Sequence, residues 1–96
     1  MDALEFMQLH ADNAVAQKMP EVMKDLTPES MGQVGGLLAG AAQPFKANKV
    51  ESKGSDADAF IFDVTYTDAN GKDYSMRETV RQVDGTWKIV ALVKPE

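Results

Sequence analysis

The chain has 96 residues, 44% of them hydrophobic, enough for one globular domain that buries about two-thirds of its unfolded surface around one core. With 15 acidic and 10 basic residues its net charge is -5, which excludes the basic stripe that phosphate backbones need, so no nucleic acid partner is expected. It has no cysteine, which excludes disulfides, thiolate zinc sites and cysteine nucleophiles, and no apolar run approaches the roughly 20 residues of a membrane span.

The opening Met1-Asp2-Ala3-Leu4-Glu5 has neither the basic region nor the apolar core of a signal peptide. Residues 2 to 26 read as a helix. Asp2 is the N-cap and Glu5, three residues on, completes a capping-box pattern. Leu4, Met7, Ala11, Val15, Val22 and Leu26 recur at helical spacing and mark one apolar stripe, widened by Met19 and Met23. Pro20 removes a donor and clashes with the preceding turn, so two helical pieces or one kinked helix are expected.

Thr27-Pro28-Glu29-Ser30 opens a further helix, with Thr as cap and Pro at the first position, running through Met31, Val34, Leu37, Leu38 and Ala41 and stopping by Pro44. Gly32, Gly36 and Gly40 recur at intervals of four, with Gly35 beside them. Each glycine costs a helix about 1 kcal/mol relative to alanine. Close packing on the first helix or the sheet is the expected compensation, a dimer partner against this face is the sharper reading, and a loop is the third.

From Phe45 the period switches to two, and strands are read at about 45–53, 57–67, 73–83 and 86–94. Asp68-Ala69-Asn70-Gly71-Lys72 suits a three-residue loop with Gly71 left-handed. That register sets Tyr66 opposite Tyr74, Val64 opposite Met76 and Phe60 opposite Val80, with Asp63 meeting Arg77 on the other face. The two-residue turn at Asp84-Gly85 sets Val80 opposite Ile89 and Met76 opposite Val93. The first strand, with Lys46, Lys49 and Lys53, reads as a guarded edge. The fold class is therefore α+β, with N-terminal helices (about 2–43) on one face of a four-stranded antiparallel meander (about 45–94) in a single domain. The uncovered face carries Ile61, Val83, Val90 and Leu92, which are the candidate interface residues.

Helices followed by a meander whose last strand reads Gly85-Thr86-Trp87-Lys88-Ile89-Val90 resemble the nuclear-transport-factor-two-like superfamily of cystatin-like α+β form. The approach from Leu26-Thr27-Pro28-Glu29 to Phe45 is similar to small bacterial members of unknown function. The resemblance spans nearly the whole chain on weak motifs. It implies the helix-on-sheet fold but no single activity, because the superfamily holds enzymes, binding modules and scaffolds. The chain lacks room for the additional helix and hairpin of larger members, which implies a shallow or missing pocket.

Chemistry-bearing residues are few. His10 is expected on the solvated surface, because Asp12 at i+2 does not share its helix face. Asp56-Ala57-Asp58 reads as a polar turn, since a calcium loop needs further ligands and glycine spacing. No nucleophile triad, phosphate loop or metal spacing is present, and no cofactor, metal or catalytic residue is expected. Glu78 breaks the pattern: the register puts it on the helix-covered face, opposite Phe62 and Ala91, where burial raises a carboxyl pKa. Tyr66, Tyr74 and Trp87 are the candidate ligand-binding residues around it.

Two functional expectations follow. The first is a non-enzymatic module that dimerises or binds a protein partner through the uncovered sheet face. The alternative is a small-ligand binder or minor enzyme with its pocket near Glu78, Tyr66 and Tyr74. A third reading, an exported lipoprotein domain lacking its lipid-bearing segment, has no signature in these residues.

Overall fold

The computed structural model describes residues 1–95. Helix α1 spans Ala3–Val15, α2 Met19–Lys24 and α3 Pro28–Leu37. Strands β1 (Ala47–Asp56), β2 (Ala59–Thr67), β3 (Asp73–Val83) and β4 (Thr86–Val93) form one open antiparallel sheet in the order β1-β2-β3-β4. The helices cover one face of this α+β meander. Among the described residues no helix is long and apolar enough to cross a membrane.

Local chemistry sets the helix ends. The capping box forms as the sequence implies, Asp2 accepting from the Glu5 backbone and Glu5 accepting from the Asp2 backbone. Pro20 divides rather than kinks the long segment: α1 ends at Val15, Gln17 turns left-handed at φ 60°, and Pro20 sits in the first turn of α2, where its missing N–H costs nothing. Thr27 caps α3 through the Ser30 N–H, and the helix ends at Leu37, earlier than its apolar pattern suggests, followed by Gly40 at φ 84°.

The buried stripe of α1 is Ala3, Phe6, Met7, His10 and Ala11, rotated from the one expected; Leu4 is half-exposed. With Phe45 and the inner residues of β2, β3 and β4, these apolar side chains make one core. The glycines of α3 do not serve close packing. Gly32, Gly35 and Gly36 are exposed, and a methyl group on any of them would meet no atom within 4 Å. The helix leans on the sheet through Ser30, Val34 and Leu37 instead.

The β2–β3 register is as predicted, Tyr66 opposite Tyr74 and Val64 opposite Met76, and the Arg77 guanidinium grips both oxygens of Asp63 at 2.8 and 3.0 Å on the uncovered face. Asp84 and Gly85, at φ 54° and 79°, form the mirror-image turn that suits a right-twisted hairpin. Beyond it Val80 pairs with Ile89 as expected, and the expected register then fails. Val80 faces Ile89 and Thr79 faces Ala91, so Val90 is an extra, bulged residue. The bulge reverses the alternation: Leu92 turns into the core opposite Glu78, while Val93, expected opposite Met76, is half-exposed. Leu92 is therefore no part of the uncovered face, and Glu78 has Leu92, not Ala91, as its β4 neighbour.

Because the α3 glycines cost helix propensity without a packing return, Gly32→Ala and Gly35→Ala are each expected to raise stability by about 0.5–1 kcal/mol, read by urea denaturation.

Candidate functional site

Between the three helices and the inner face of the sheet lies a cavity of about 490 Å³. Phe45, Tyr66, Met76 and Leu92 line its sheet side, and Ala14, Val22, Leu26, Val34 and Leu38 its helical side. Met19, Met23 and Met31, each between 39% and 50% exposed, line it where it meets solvent. Ala14 from α1, Gln17 from the break, and Met19, Val22 and Met23 from α2 all line this space, so the break between the two helices borders it. The sequence reading of a missing pocket is thus corrected.

Among the described residues, five polar side chains line the otherwise apolar chamber: the amides of Gln17 and Gln43, and the titratable groups of Glu78, Tyr66 and His10. Glu78, on β3, is 1% exposed, and its Oε2 has no hydrogen-bond partner among the described residues. Burial alone raises its pKa to about 8, so the carboxyl is mostly protonated at neutral pH. The Tyr66 hydroxyl is pushed well above its usual value, first by burial and then by the charge of Glu78. His10, 4% exposed, presents its Nδ1 to the Asp25 carboxylate at 2.9 Å. That contact leaves Nε2 as the ring nitrogen without a protein partner among the described residues.

His10 corrects the sequence reading, which set it on the surface. Its spacing from Ala3, Met7 and Ala14 places it on the helix face that turns inward, a helical-wheel signal present in the sequence but overridden by the choice of the Leu4 stripe. Its partner Asp25 follows the α2 helix, 15 residues away and past the break between α1 and α2, so no local pattern foretells the pair.

The other candidates lie elsewhere. Trp87 stacks near Phe6, meets Phe60 edge-on at 5.8 Å, and donates its indole N–H to the Met1 carbonyl, holding the chain start on the sheet. Tyr74 points toward a separate hollow of about 320 Å³ beside the end of α3, with the Lys72 ammonium 5.2 Å above its ring. Glu78 and Tyr66 therefore share the cavity, and Tyr74 and Trp87 do not. Of the outer-face candidates, Val83 is exposed and Ile61 and Val90 are half-buried.

The arrangement can seat an apolar body against one carboxyl, one imidazole and one phenol. Among the described residues no group of three or more acidic or histidine side chains is placed to hold a metal ion. Comparison with family models, curated proteins and solved structures returns no match to this chain.

The raised pKa of Glu78 has a sign that can be checked. The folded state keeps a proton that the unfolded chain releases near pH 4.5, so this residue's contribution to stability falls as pH rises from about 4.5 to about 8. The full loss is about 5 kcal/mol. Glu78→Gln should remove it, leaving the variant more stable than the parent at pH 8 and flattening the stability–pH curve, measured by denaturant unfolding from pH 5 to 9.

Proposed function

We propose that this chain is a small-ligand-binding module of the nuclear-transport-factor-two-like, cystatin-like kind, taking one largely apolar molecule between its helices and its sheet. The observation that carries the reading is the lone Glu78 carboxyl, buried without a partner for Oε2, in the wall of an apolar cavity of about 490 Å³. Buried polar atoms without partners are rare and costly, and a ligand in the adjoining apolar cavity that reaches this carboxyl would supply the missing hydrogen bond. The volume lies within the range of small-molecule sites. Helices on one face of a four-stranded meander support the superfamily assignment, which rests otherwise on the Gly85–Val90 pattern.

Binding without chemistry is the simpler reading. Of the five polar lining residues, Gln17 and Gln43 carry no ionisable group, and the His10 ring is already engaged by the Asp25 carboxylate at 2.9 Å. The test is titration with the neutral fluorescent dye prodan. It should bind at one site with a blue-shifted emission, and Val34→Phe, which fills the chamber from α3, should reduce that binding at least tenfold while the fold persists by circular dichroism. Binding that survives the filled cavity would remove the cavity from consideration.

A second reading has its own observation. The sheet face away from the helices is uncovered and carries Ile61, Val83, Val90 and Val93 around the Asp63–Arg77 pair, a surface suited to self-association. Light scattering over a concentration series should then give the mass of a dimer, and Val93→Asp should return it to the monomer. A constant monomer mass at high micromolar concentration would sink this reading.

A further inference from the structure

We propose that the ligand of this cavity is an amphipathic amine, its ammonium head taken by the Glu78 carboxylate and its apolar body lying among the methionines and aromatic rings of the chamber. The inference rests on the reading of the cavity as a ligand site and concerns the chemistry of the head group.

The chamber's charge balance points this way. None of its lining residues is Lys or Arg. The titratable groups facing it are Glu78 from β3, Tyr66 from β2 and His10 from α1, with Asp25 behind His10; α3 contributes none. Whenever the His10 ring is protonated, Asp25 carries the compensating charge 2.9 Å away, so the pair adds little net positive field. Among the described residues no Lys or Arg lines the chamber to balance an ionised Glu78, and a cationic ligand would supply that charge. An anionic head group would meet the Glu78 carboxyl and no Lys or Arg. A neutral hydroxyl can pair with the protonated carboxyl, but a neutral hydrogen bond is about half as strong as a charge-assisted one.

The walls agree with a cation as well. Phe45 and Tyr66, stacked with ring centres 5.1 Å apart, line the chamber, and the thioethers of Met19, Met23, Met31 and Met76 are weak acceptors that carry no donor. The net charge of -5 adds a long-range attraction for cations over anions.

An ammonium that needs the carboxylate must displace the proton that burial holds on Glu78. Binding at pH 7 should therefore release about one proton per ligand, and affinity should rise about tenfold per pH unit up to about pH 8, then level off.

Octylamine, octanol and octanoate share one tail and differ in the head, so calorimetric titration of the three against the folded chain tests the proposal. Octylamine is expected to bind at least tenfold more tightly than octanol, with octanoate weakest, and its proton release should show as a heat that depends on the buffer's ionisation enthalpy. Glu78→Gln should weaken octylamine tenfold or more while leaving octanol within about twofold, which also shows that the variant keeps its cavity. Equal binding of octanol and octylamine, or octylamine binding untouched by Glu78→Gln, overturns the amine assignment. Octanol binding then leaves the ligand-site reading standing. If octylamine does not bind, the assignment falls, and the prodan titration shows whether the ligand site falls with it.

Discussion

Ile89 is the point on which the helical layer hangs. Its N–H donates to the Asp25 carbonyl at 2.8 Å, and its carbonyl accepts from the Thr27 N–H at 3.1 Å and from the Ser30 hydroxyl at 2.7 Å. The turn between α2 and α3 is thereby clipped to the outer edge of β4 as a short parallel bridge at Leu26. Gln33 adds a further contact by accepting the Leu92 N–H at 2.8 Å. These bonds use backbone groups that an edge strand would otherwise leave open to another sheet, so one device protects the edge and fixes the helices. With α1 held at its start by Trp87 and α2 and α3 held at Ile89, the space between them cannot close onto the sheet without breaking one of these attachments.

The far end of the layer has a matching anchor. The Asp68 carboxylate, 2% exposed, accepts the backbone N–H groups of Ala42, Asn70 and Lys72, which ties the segment after α3 to the β2–β3 hairpin and lowers the Asp68 pKa. Two acids of one sheet thus behave in opposite ways for one physical reason. Asp68 is surrounded by donors, so its charge is welcome. Glu78 is buried among apolar side chains with one oxygen unsatisfied, so its proton is retained. In a small domain of ordinary stability, about 5–15 kcal/mol, a buried unpartnered acid is a large burden. Its position in the wall of a cavity is what makes a binding role a better account than an error of packing.

The exposed glycines of α3 fit the same picture. They weaken one wall of the chamber without gaining contacts, while Met19, Met23 and Met31 at the opening are long, unbranched and adaptable. A wall of low helix propensity beside flexible thioethers gives the chamber a side that can adjust to an occupant, whereas the sheet side, built of Phe45, Tyr66 and Leu92, is buried and fixed.

By itself the sequence determined what depends on short-range chemistry. The capping box at Asp2, the break at Pro20, the cap at Thr27, the loops at Gly71 and Gly85, the β2–β3 register and the Asp63–Arg77 pair all follow from residues a few positions apart or from strict alternation. The inward placement of Glu78 came from the same alternation. Tertiary structure alone decided the rest. Ile89-Val90-Ala91-Leu92-Val93 is apolar throughout, so no alternation marks the bulge that turns Leu92 inward and Val93 outward. The pairing of His10 with Asp25 depends on how two helices fold back across a left-handed Gln17, a geometry that their spacing does not encode. The cavity lies between side chains of three helices and a sheet that are brought together only by the tertiary fold, and a volume of space has no residue of its own to announce it.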